Sequence, residues 1–239
     1  RYGLGECLVK FDDKMNATPW LADKWSVSDD KLVWTFHIND KVKFSNGDKL
    51  TAEIAKESLE RTFNMSNRAK SIFEYESISA DGQNLIIKTK KPIPTLPGML
   101  ADPLFIIIDT KVTDRDIKTQ GPICTGPYMV KSYTKAKAVM EANPNYWDGK
   151  VPFKNVEIQT IDDPNTRAMA LQKGEIDFAV NIAPGDLQLF QNKDKYKISE
   201  IASLRTVLAQ INMNADKPLH DIKVRQALIQ CLDRETYNK

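Results

Sequence analysis

Three cysteines, two histidines and adjacent aspartates such as Asp29-Asp30 and Asp162-Asp163 are the side chains with the widest chemical range in this sequence. A thiol beside an imidazole can act as a nucleophile, and Cys231 and His220 fall near one C-terminal helical pattern. They stand too far apart along it to meet side by side, so no Cys/His nucleophile is expected. Cys7, Cys124 and Cys231 are widely separated, with neither CxxC spacing nor the ligand spacing of a metal site. They read as small buried apolar residues, with one disulfide plus a thiol as the alternative. Asp29-Asp30 and Asp162-Asp163 could serve as acid/base dyads. Each pair sits at a turn or helix start, where an aspartate more naturally caps backbone N–H groups in solvent. There is no GxSxG, no HExxH and no phosphate-binding glycine loop. The expectation is no catalytic residue, no metal site and no cofactor.

The elements that must position these residues are plainest between Cys124 and Val180. Thr125-Gly126-Pro127-Tyr128 is a turn feeding a strand, and Asn143-Pro144-Asn145-Tyr146-Trp147 is a turn with two aromatics. Asp163 can cap a helix, Pro164 suits its first position, and Gly174 can close it in the left-handed conformation. Ala168, Leu171 and Ala170 give that helix a face to bury, and a strand is expected after Gly174. Upstream, Val33 to Ile38 alternates, with Trp34, Phe36 and Ile38 on one face and Thr35 and His37 on the other. His37 is therefore expected at the surface or hydrogen-bonded. Val42 to Ser45 reads as a strand before the Asn46-Gly47 turn. Thr51 caps an amphipathic helix to about Phe63, burying Ile54, Ala55, Ser58, Leu59, Thr62 and Phe63.

Residues 64–70 read as a polar loop, Ser77 to Thr89 as a hairpin about Asp81-Gly82, and Leu104 to Ile108 as a buried strand. Val139 to Ala142 and Val156 to Ile161 read as strands, and Pro184 opens a helix to about Phe190. Thr206 to Met213 alternates. Asp221 caps a last helix whose stripe of Val224, Ala227, Leu228, Cys231 and Leu232 is expected to be buried.

At 239 residues, 41% hydrophobic and 28% charged, the chain can bury a core. The net charge of +2, without a basic stripe, argues against nucleic acid as a partner. The longest apolar run, Leu104 to Ile108, is too short to span a bilayer. The start at Arg1 without methionine and the stop after a helical pattern read as the boundaries of an excised piece.

TGPY, NPNYW and RAMALQKGEID, in that order, resemble the family-5 solute-binding proteins of ABC importers, the oligopeptide-, dipeptide- and nickel-binding receptors. The spacing is close to the nickel/metallophore branch. PWLADKWSVSDDKLVWTFHINDKVKFSNGDKLTAE is a second, independent resemblance. Asn212 with Val224-Arg225-Gln226-Ala227-Leu228 and Asp233-Arg234-Glu235 is a third.

The resemblance implies an α/β, periplasmic-binding-protein-like fold of type II, cluster C. The chain would be a first lobe with a mixed sheet flanked by helices. Residues 1–13 and 121–239 would form the lobe core and residues 14–120 an inserted β-rich subdomain with one amphipathic helix. The second lobe and the C-terminal return would lie outside the chain, so it should bind ligand weakly alone. The implied function is capture of a peptide or nickel/metal-chelate ligand for an ABC permease, without turnover. The location would be extracytoplasmic, in the periplasm or as a cell-surface lipoprotein, with any membrane association through a leader or lipid anchor outside this stretch. A pheromone-type signalling or chaperone-like peptide-binding module on the same scaffold is the alternative.

One site residue carries over: Arg68 matches an arginine that nickel-branch members place near the bound chelate, and its fork of donors suits a carboxylate. Ser71 stands where that branch has an aromatic, and Cys124 replaces the first glycine of GTGPY. Tyr128, Tyr146 and Trp147 are open to cleft or packing roles.

Overall fold

The computed structural model describes residues 3–112, 116–200, 210–214 and 216–233. Near the N-terminus, β1 (Val9–Phe11) and β2 (Ala17–Pro19) pair antiparallel. Asp12 closes the turn between them by accepting from the Lys14 and Asn16 amides. Two longer strands follow, β3 (Ala22–Val27) and β4 (Val33–Ile38). The expected alternation in β4 holds, with Trp34, Phe36 and Ile38 buried.

The helix expected after Thr51 is α1 (Ala52–Met65), and the Thr51 hydroxyl accepts from the Ile54 amide at 3.3 Å. Its buried face is Ile54, Ala55, Ser58, Leu59 and Phe63, with Thr62 only part-buried. Next come α2 (Asn67–Ile72), β5 (Tyr75–Asp81) and β6 (Asn84–Thr89). The strands form an antiparallel sheet in the order β3-β4-β6-β5, and α1 lies against β5 and β6. Rings seal the contact: Phe63 meets Phe73 at 5.0 Å and Tyr75 at 4.8 Å, both edge-on. One continuous apolar cluster runs from Leu8 and Val9 through the sheet and α1 to Ile107.

Beyond it lie α3 (Leu96–Met99), a 3-10 turn at Pro103–Phe105 and α4 (Ile117–Gln120). A second antiparallel sheet is built in chain order from β7 (Tyr128–Tyr133), β8 (Lys137–Ala142) and β9 (Asn155–Gln159). The helix opened by Asp163-Pro164 is α5 (Pro164–Lys173). Asp163 accepts from the Thr166 amide at 2.7 Å, and Gly174 ends the helix at φ 76°. Ala168 and Ala170 are buried. A 3-10 helix at Pro184–Phe190, another at Pro218–His220, and α6 (Ile222–Cys231) complete the order.

Several expectations are corrected. Residues 64–70 are not a loop: the Ser66 hydroxyl accepts from the Ala69 amide and starts α2 immediately after α1 ends. Val42 to Ser45 is only a single bridge, Lys43 to Lys49, around the Asn46-Gly47 turn. Leu104 to Ile108 is largely buried but not a strand. Pro103 lacks an N–H and Asp102 caps the 3-10 turn, so only the Ile108–Cys124 bridge remains. Residues 175–180 are not a strand, and Phe178 is 79% exposed.

The α6 stripe forms as a helical face but is not buried, because no described element covers it; Leu228 and Leu232 are exposed. The alternating stretch at 206–213 lies partly outside the described residues, and residues 210–213 are not strand. Of the three cysteines only Cys124 is fully buried; Cys7 is half-buried and Cys231 exposed.

Candidate functional site

Arg68 stands in the first turn of α2, so the Ser66 cap decides where its side chain starts. The side chain is 66% exposed, and Nη2 donates to Asp102 Oδ2 at 2.6 Å. Asp102 is held from three further directions. Its Oδ1 accepts from the Leu104 amide at 2.8 Å, its own amide donates to the Met99 carbonyl, and its carbonyl accepts from the Cys7 thiol. Burial pushes the Cys7 thiol up to about 12, so it stays protonated as a donor rather than a nucleophile. Ser71 is exposed, its hydroxyl donating to the Arg68 carbonyl at 2.8 Å. The result is a fixed carboxylate holding one end of a mostly exposed guanidinium.

A mostly apolar groove of about 340 Å³ is lined by the cationic Arg61 and, among others, by Met65, Leu104, Ile106, Ile108 and Ile117. Ser66, two residues before Arg68, and Pro103, next to Asp102, also line it, while Arg68 and Asp102 themselves are not among its lining residues. An apolar trough with a few polar groups at its rim is the usual composition of a small-ligand site.

Glu6 marks a second constellation that sequence reasoning missed. It is 9% exposed. Thr125 Oγ1 and Trp147 Nε1 donate to Oε2 at 2.8 and 3.1 Å, and the Tyr146 hydroxyl donates to Oε1 at 3.3 Å. Burial raises the Glu6 carboxyl above its ordinary range, opposed by these donors. The Tyr146 phenol is raised too, by burial and then by the Glu6 charge. Trp147 also packs edge-on against Trp20, with ring centroids 5.0 Å apart. Tyr146 and Trp147 thus tie the TGPY and NPNYW turns to the N-terminal segment, a packing role. The only sequence signal is a lone carboxylate a few residues ahead of Val9.

The remaining residues do no joint chemistry. His37 Nδ1 lies 2.9 Å from Asp23 Oδ1, hydrogen-bonded as expected. Asp30 accepts from the Ser28 hydroxyl and the Leu32 amide, and Asp163 caps α5. Both carboxyls lie below the usual range, chiefly through the hydroxyls of Ser28 and Thr166, and serve turns rather than proton transfer. Among the described residues, no three His, Cys, Asp or Glu side chains gather as a metal site.

Residues 16–239 match the sequence profile described as bacterial extracellular solute-binding proteins, family 5. The chain belongs to this family. It is 31% identical over 236 residues to the nickel-binding protein NikA of Staphylococcus aureus, covering 98% of this chain and 47% of that protein. It is 30% identical over 218 residues to the probable D,D-dipeptide-binding periplasmic protein DdpA of Escherichia coli, covering 87% and 42%. The structure of NikZ from Campylobacter jejuni in complex with Ni(L-His) superposes with a TM-score of 0.81 at 27% identity, over 98% of this chain and 48% of that one. The fold is therefore the mixed α/β architecture of type II periplasmic binding proteins, as the sequence resemblance implied, but the expected mixed sheet is corrected: among the described residues every strand pairing is antiparallel. The chain spans about half the length of the curated relatives it matches. No helix among the described residues is long and apolar enough to cross a membrane.

Proposed function

We propose that this chain supplies one wall of the ligand cleft in the solute-binding receptor of an ABC importer. The receptor captures a short peptide or a nickel/metal chelate outside the cytoplasm and delivers it to the permease, without chemical turnover. Family membership over residues 16–239 is the observation that carries this reading. Residues 1–13 and 121–239 form the core of the lobe and residues 14–120 an inserted subdomain. The four-stranded sheet with α1 and α2 lies wholly within 14–120, and the β7-β8-β9 sheet lies outside it. A second lobe would supply the facing wall, and closure would trap the ligand. Any membrane association runs through a leader or lipid anchor beyond this stretch.

Arg68 is the proposed anchor. Peptides and amino-acid chelates both carry carboxylates, and the open donors of its guanidinium can hold one in a fork. Calorimetric titration of the protein at its full length, with nickel–histidine and with a dipeptide mixture, tests the assignment. Arg68→Ala should weaken the ligand that binds by about tenfold, or about 1.4 kcal/mol. Unchanged affinity would remove Arg68 from the site, and absence of any small-ligand binding would remove the receptor function.

A further inference from the structure

We infer that Asp102 acts as a charge filter on Arg68, admitting ligands that present a carboxylate without net negative charge and disfavouring anionic chelates. The inference rests on the proposed role of Arg68 as an anchor. Asp102 is the immobile partner of the pair. Its side chain is 27% exposed, one oxygen is fixed on the Leu104 amide, and its backbone is tied to Met99 and Cys7. Arg68, 66% exposed, keeps most of its donors facing solvent. A ligand carboxylate reaching those donors comes to rest near the Asp102 carboxylate, which shares the same guanidinium.

Like charges that close repel, and the repulsion grows with the net charge the ligand brings. A neutral amino-acid chelate or a zwitterionic peptide brings compensating positive charge to the same place. An anionic chelate does not. In the nearby groove Met65, Leu104, Ile106, Ile108 and Ile117 are apolar, and Arg61 is the one charged residue of its lining, so compensation there rests on Arg61 alone. Specificity of this kind comes from a repulsive element set against the wrong ligand, not only from attraction to the right one.

The test compares two nickel chelates of similar donor chemistry and different charge: neutral nickel bis-histidine and the nickel–EDTA dianion. Affinities are measured by calorimetry on the full-length wild type, Asp102→Asn, Asp163→Asn and Arg68→Ala. Asn retains an oxygen for the Leu104 amide, so Asp102→Asn removes the charge and keeps the cap. Asp163→Asn removes the same charge from the start of α5 and reports on the general field. The expected result is that the ratio of anionic to neutral affinity rises at least tenfold in Asp102→Asn, about 1.4 kcal/mol, and moves less than twofold in Asp163→Asn. An unchanged ratio in Asp102→Asn, or an equal rise in both, overturns the filter while a weakened Arg68→Ala keeps the anchor. Affinities untouched by Arg68→Ala overturn the anchor and the filter together. Failure of both chelates to bind wild type and Asp102→Asn also overturns the filter.

Discussion

Glu6 and Asp102 are single carboxylates whose surroundings decide what they do. Glu6 accepts from Thr125, Tyr146 and Trp147, three neutral donors, and burial lifts its carboxyl above the ordinary 4.5. The folded state therefore holds the proton more tightly than the unfolded state does. The stability this provides is complete below the unfolded value and is lost as pH rises through the folded one. Glu6→Gln removes that loss. The amide oxygen can take the place that Thr125 and Trp147 address, and the Tyr146 hydroxyl can accept from the amide nitrogen. In urea unfolding from about pH 4 to about pH 7, Glu6→Gln should gain on wild type as pH rises and then level off. A difference that stays flat across that range would show that Glu6 carries no shifted proton.

The legibility of such residues follows the distance to their partners. Asp163 and Thr51 were readable because the N–H groups they accept from lie three residues on. The partners of Glu6 lie 119, 140 and 141 residues away, and Asp102 meets Arg68 across 34. No local spacing records either meeting, so one missed carboxylate sits in the core and the other on the proposed anchor. Arg68 is legible through the family resemblance alone, and its helix starts from the Ser66 cap inside a stretch whose polar composition reads as a loop.

At the scale of elements, the TGPY turn carries the tightest constraint. A Cβ on Gly126 would lie 2.4 Å from the Leu4 carbonyl oxygen and 2.6 Å from that of Gly3, and the Gly126 amide donates to Leu4. Backbone oxygens cannot swing aside as a side-chain tip can. Gly126→Ala must push the N-terminal segment off the turn, which also loosens Glu6. Its expected cost is about 2–3 kcal/mol, read as a lower urea midpoint with an unchanged slope. A midpoint equal to wild type would mean the N-terminal segment is not seated there. Helices with their own caps, α1 and α5, were foreseen almost residue for residue. Burial by a distant partner was harder to read: α6 forms behind its Asp221 cap as expected, but no described surface covers its apolar face, and the expected strand just after Gly174 does not form. Pattern specifies which face is apolar; burial requires something to meet it.

The whole molecule is read through its family. The profile spans residues 16–239, and the relatives named for nickel and for D,D-dipeptides match at nearly equal identity, 31% and 30%. Nickel chelates and dipeptides differ in charge and shape, and the Arg68–Asp102 pair is the feature proposed to respond to that difference. The central claim is that the protein is a receptor that holds a small ligand without changing it. Native mass spectrometry of the full-length protein, with metal analysis of the same sample, tests it most directly. The predicted result is a non-covalent adduct, either a metal chelate or a series of short peptides, that survives gentle ionisation, is lost on denaturation and is released chemically intact. Bare protein mass both as purified and after incubation with nickel–histidine and a peptide pool would contradict the claim.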